Sequence, residues 1–146
     1  MPLKSALSDR DFLAWSREQP EVLRAGKLDE ADIERIADEI ESLGRTEMGA
    51  LIGPLRLLLL HLLKLRHQPG KRGASGEARI RVLRNRVNDH LADNPSLKSL
   101  LPEALAAAYR DAPLEAAAEI GLPRTTFPET CPWTIDEVLS ERFWPR

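Results

Sequence analysis

The chain has 146 residues, of which 42% are hydrophobic and 30% charged, with a net charge of −2. That is the balance of one ordinary folded domain rather than a disordered segment, and it sets up no global field towards nucleic acid or a membrane. The single cysteine, Cys131, excludes an internal disulfide and any multi-cysteine zinc site and makes a reducing compartment the default.

Residues Met1 to Asp9 contain no apolar core of signal-peptide length, so a cytoplasmic location is expected. Ser8, with Asp11 three residues later, opens a first helix that carries Phe12, Trp15, Val22 and Leu23 and stops at Gly26. Pro20 lies inside it, where a missing amide and a clash one turn back predict a kink or a split. A second helix is expected from Asp29, whose carboxylate can cap the first turn, to Gly44. In it Ile33, Ile36, Ala37, Ile40 and Leu43 repeat with the spacing of one buried stripe.

A third helix spans about 46–67. Leu51, Leu55, Leu58, Leu62 and Leu65 form its main stripe, and Leu57, Leu59, Leu60 and Leu63 coat most of the rest. A helix apolar nearly all round is buried nearly all round, so this is the core. His61 and Lys64 interrupt its apolar run, which falls short of the roughly 20 residues a spanning helix needs. Residues 68–76 read as a loop. A fourth helix over about 77–92 puts Ile80, Leu83, Val87 and Leu91 on one face, and Pro102 suits the start of an alanine-rich fifth helix ending at Gly121, with Pro113 as a kink or break. Residues 121–134 form an irregular strap, and Thr134 with Glu137 makes a capping box for a short last helix. The expected architecture is all-α: a single compact bundle over residues 1–146, of about five to six helices, with an antiparallel helix pair at 29–67 as its core.

Charge is segregated along the chain. Asp29 to Glu47 holds eight acidic residues and two arginines, while Arg56 to Arg86 holds nine basic residues and one acid, Glu77. Lys71, Arg72, Arg79, Arg81, Arg84 and Arg86 are the candidates for a phosphate-binding surface. Helical geometry spreads them, however, with Arg79 and Arg86 on one flank of the fourth helix's stripe, Arg84 on the other and Arg81 nearly opposite. No aromatic side chains are interleaved for base stacking.

His61 and Lys64, three apart, share the narrow side of the third helix with Ala50, Gly53 and Leu57. A buried cation needs a partner, and an antiparallel second helix would bring Glu39 to them. A Glu39, His61 and Lys64 network is therefore either a structural polar contact or an acid–base site in a cleft. No Glu-x-x-His or His-x-x-x-His pattern offers metal ligands, so no metal and no cofactor is expected. Cys131, between Pro128 and Pro132 and beside Trp133, reads as packing, and Phe143-Trp144-Pro145 as a segment that docks on its own domain or on a partner.

Asp11-Phe12-Leu13-Ala14-Trp15, Leu23-Arg24-Ala25-Gly26, Ile36 through Arg45, His61-Leu62-Leu63-Lys64-Leu65, Tyr109-Arg110-Asp111-Ala112, Gly121-Leu122-Pro123 and Phe127 through Thr134 together resemble the bacterial domain-of-unknown-function family numbered twenty-nine. The resemblance covers nearly the whole chain and implies a compact all-α fold, with no activity, substrate or cofactor attached. Pro20 and Pro113 depart from its pattern, while Glu39, Glu41, His61 and Lys64 match it. The leading functional expectation is a non-enzymatic protein-interaction or scaffold module, either a homodimer or bound to a protein partner, away from membranes. The alternatives are a small nucleic-acid-binding protein using residues 71–86 and an enzyme with a Glu39, His61 and Lys64 cleft.

Overall fold

A computed structural model describes residues 7–145, so residues 1–6 of the segment read above for a signal peptide lie outside it. Among the described residues every regular element is helical. After a helical turn at 7–10, the chain forms α1 (Phe12–Arg24), α2 (Ile33–His67), α3 (Ala74–Asp93), α4 (Leu101–Ile120) and α5 (Ile135–Leu139), with short 3-10 turns at Pro69–Lys71, Pro95–Leu100 and Arg124–Thr126. The chain divides into two compact units, Met1–Thr46 and Glu47–Arg146.

The expected antiparallel pair at 29–67 does not form. Residues Ile33–His67 are one helix of 35 residues, and Gly44 passes through it without ending it. A glycine stops a helix when it takes a left-handed conformation; Gly26 and Gly121 do so, with φ of 74° and 72°, and Gly44 does not. Its neighbours favour continuation, since good helix formers stand on both sides and Arg45 lies 3.9 Å from Glu41 one turn back, across the glycine. Against these, an interior glycine costs only about 1 kcal/mol.

The start of the second helix also differs, falling at Ile33 rather than Asp29. Asp32 is held from α1 instead: its amide donates to Gln19 Oε1 at 2.8 Å, and its carboxylate accepts from Trp15 Nε1 at 3.2 Å. In α1 the cap is Asp11, whose side chain accepts from the Ala14 amide at 3.1 Å, and Pro20 is carried inside an unsplit helix. Pro113 is likewise carried inside α4, while the 68–76 loop is shortened because α3 begins at Ala74.

Within Glu47–Arg146, the leucine face of α2 is the core. Leu51, Leu55, Leu58, Leu59, Leu60, Leu62 and Leu63 are buried with Ile80, Leu83, Val87 and Leu91 of α3. Ala104, Ala108, Ala112 and Ala116 of α4 join them at four-residue spacing, and side chains this small let α4 approach closely. By length and composition α2 could cross a membrane; the burial of seven of its leucines gives them a core to fill. Phe127 and Trp133 from the strap and Val138 from α5 close that core. The strap is tied down by the Tyr109 hydroxyl, which donates to the Pro128 carbonyl at 2.6 Å, and by the Thr134–Glu137 capping box.

Candidate functional site

The six basic candidates of the 71–86 segment do not gather on one face. Arg84 is fully buried, where a guanidinium needs partners. Its Nε donates to the Val138 carbonyl and its Nη2 to the Phe143 carbonyl, both at 2.8 Å. Burial lowers its pKa, and Nη1 has no hydrogen-bond partner among the described residues. Its guanidinium carbon instead lies 5.3 Å from the Trp144 ring centroid, with those of Arg72 at 4.2 Å and Arg81 at 5.6 Å. Three arginines thus hold Trp144 by cation–π contact, and Phe143 meets Trp133 edge to face at 6.0 Å. The terminal aromatics dock on their own unit. Sequence reasoning missed this role for Arg84, which the stripe geometry had placed at the core edge. Arg86 lies apart, in a shallow groove with Val82, Asp89 and His90.

Lys71 and Arg72 share a cleft of about 400 Å³ with His61 and Lys64, between the C-terminal end of α2 and the start of α3. Leu65, Ile80 and Ile120 supply apolar surface, while Gly73 and Gly76 leave the wall open. Lys64 Nζ pairs with Glu119 at 2.7 Å and Arg72 pairs with Glu77, whereas Lys71 has no carboxylate partner among the described residues. The His61 imidazole is held below the ordinary histidine range by burial first, then by Lys64 and Arg79, with Glu119 opposing. His61 and Lys64 therefore do line an open cleft, but Glu39 is not part of it. The turn that would have returned it is absent, and Glu39 pairs one helical turn away with Arg35 at 3.1 Å.

The apolar stripe of the second expected helix is the other departure. Ile33, Ile40 and Leu43 are 53%, 63% and 67% exposed, where burial was expected. In Met1–Thr46 the buried apolar side chains among the described residues are Trp15 and Ala31, while Phe12, Leu13, Leu23 and Leu28 join the exposed set. Polar contacts hold α1 instead: the two hydrogen bonds to Asp32, and Arg35 at 5.9 Å over the Phe12 ring.

Cys131 is half-buried, its Sγ 3.4 Å from the Trp133 carbonyl, and burial pushes its thiol pKa up, which leaves it a poor nucleophile. Among the described residues no group of three histidine, cysteine or acidic side chains is placed to hold a metal.

A family model described as a domain of unknown function, DUF29, matches residues 7–144. No curated protein and no solved structure matches the chain.

Proposed function

We propose that this chain, which belongs to the DUF29 family by a match over nearly its whole length, is a protein-interaction module that docks a basic amphipathic helix on the first half of α2. The observation that carries the reading is the exposure of Ile33, Ile40 and Leu43 at one-stripe spacing, in a unit that buries only two of its described apolar side chains. A lone exposed leucine is ordinary; a contiguous helical stripe is the kind of surface a partner covers.

Charge selects the partner. Glu34 and Glu41, seven apart, flank the stripe on one side and Glu39 on the other. Arg35 and Arg45, each about 140° round the helix from Ile40, pair with Glu39 at 3.1 Å and Glu41 at 3.9 Å from farther out, which leaves Glu34 without such a pair among the described residues. A second copy fits poorly. Antiparallel pairing about Ile40 opposes Glu39 to Glu41 and Arg35 to Arg45, and parallel pairing in register opposes every charge to its like. A helix with lysine or arginine beside its own apolar stripe meets both the leucine-type surface and the carboxylates.

The test is fluorescence anisotropy of a labelled leucine–lysine amphipathic helical peptide titrated with the full chain, beside a scrambled peptide of the same composition. Ile40→Glu and Leu43→Glu are expected to weaken binding by tenfold or more, equivalent to about 1.4 kcal/mol, with the helical content unchanged. Equal binding of the scrambled peptide, or a concentration-dependent homodimer that Ile40→Glu dissociates, overturns the reading.

A further inference from the structure

The cleft beside His61 belongs to Glu47–Arg146 and is independent of the α2 stripe. We infer that it is a binding site for a small organic monoanion, a carboxylate on a compact apolar body, with the carboxylate directed to Lys71 and His61 and the body against Leu65, Ile80 and Ile120.

Four observations converge. The cleft encloses about 400 Å³, room for a small molecule. Its charged lining is Lys64, Lys71, Arg72, Glu77 and Glu119, and the two carboxylates are each taken by a cation. Lys71 is left in surplus, and one unmatched cation suits one negative charge rather than a dianion. Arg72 is also committed on its other side, to the Trp144 ring, so the cation left to reorient is Lys71.

His61 is the second polar group. It lines the cleft on α2 and makes no hydrogen bond among the described residues, so its ring can donate to a ligand oxygen. The groups acting on it from the surrounding elements are Lys64 on α2, Arg79 on α3 and Glu119 on α4. Burial first, then Lys64 and Arg79, lower the pKa of the ring while Glu119 raises it, and a bound carboxylate adds a negative charge that acts in the same direction as Glu119. Beside these groups and Gln68, the side chains of Leu65, Ile80 and Ile120 supply an apolar wall that an inorganic ion leaves uncovered.

Gly76 provides a clean block. A Cβ built there meets nothing within 4 Å, and the residue lies in the first turn of α3 on the wall of the cleft, so a larger side chain starts from open space, is compatible with the helix and takes up cleft volume.

The experiment is histidine side-chain NMR of the full chain titrated with hexanoate, hexanamide and inorganic phosphate. His67, against Phe127 at 5.6 Å, and His90, at 2.9 Å from the Glu47 carbonyl, are internal references away from the proposed contact. Hexanoate is expected to shift the His61 ring resonances saturably and raise its titration midpoint, with His90 unmoved. Lys71→Ala is expected to weaken the response roughly tenfold, and Gly76→Leu to abolish it with the fold intact by circular dichroism. The inference is overturned if His61 does not respond to hexanoate, if hexanamide or phosphate acts equally well, or if the response survives both substitutions.

Discussion

Arg84 and Val138 are joined by a 2.8 Å hydrogen bond from the buried guanidinium Nε to the carbonyl, 54 residues away in sequence. This contact, with its companion to the Phe143 carbonyl, fastens the C-terminal segment to α3. It also explains why a positive charge sits on the core side of a helix: the last turn of α5 and the segment after it offer carbonyls with no donor from a continuing helix, and a forked donor reaches two of them at once.

Replacing Arg84 by alanine is expected to cost about 3 kcal/mol, since it leaves two carbonyls short of donors and opens a cavity. For a chain of this size that lowers the melting temperature by roughly 6–12 °C. Arg84→Lys, which keeps the charge but has no fork, falls between. Thermal unfolding of the three proteins checks this, and an alanine variant as stable as the parent removes the staple from the account.

Two glycines give opposite expectations for the same substitution. Gly44 lies mid-helix with nothing within 4 Å of an added Cβ, so Gly44→Ala is expected to stabilise by about 0.5–1 kcal/mol. Gly121 caps α4 at φ 72°, where a Cβ is strained, so Gly121→Ala is expected to destabilise by about 1 kcal/mol. Denaturant midpoints for the pair decide it. A destabilising Gly44→Ala would mean that α2 is interrupted there after all.

Apolar truncations along α2 are expected to split by position. Leu58 is fully buried, and Leu58→Ala is expected to cost about 2–5 kcal/mol. Ile40 is 63% exposed, and Ile40→Ala is expected to stay within about 0.5 kcal/mol of the parent in the isolated protein. Urea titrations at low protein concentration measure both.

The lowered pKa of His61 fixes the sign of a pH effect. The folded chain takes up that proton less readily than the unfolded chain, whose histidines titrate near 6.5. Stability is therefore fully present above pH 6.5 and falls as the pH drops through it towards the lower folded value. Lys64, Arg79 and Glu119 act on the ring, with burial the largest cause. His61→Gln is expected to flatten this part of the stability profile between about pH 7.5 and 5.5. An unchanged slope in the variant assigns the effect elsewhere.

Much of the fold was legible in local chemistry. The Thr134–Glu137 box, Gly121 as a left-handed stop and the leucine face of positions 51–63 each follow from interactions within a few residues, so periodicity and capping rules suffice for them. The misread turn at Gly44 was a matter of degree, because a glycine that could end a helix is outweighed when its neighbours on both sides favour continuation.

The candidate sites divide along the same line. His61, Lys64, Lys71 and Arg72 belong together because a helix end and the next helix's start are neighbours in sequence as well as in space. Residue pattern alone determined an all-α chain with an apolar central helix and segregated charge. Whether an apolar stripe is covered, however, depends on what lies opposite, and no period records that: Leu58 and Ile40 carry the same kind of signal on the same helix, and one is sealed while the other is bare. Only the tertiary structure separated them, and only it turned Arg84 from a charge on the flank of a stripe into the clasp of the C-terminal segment, because its partners are backbone carbonyls more than fifty residues away.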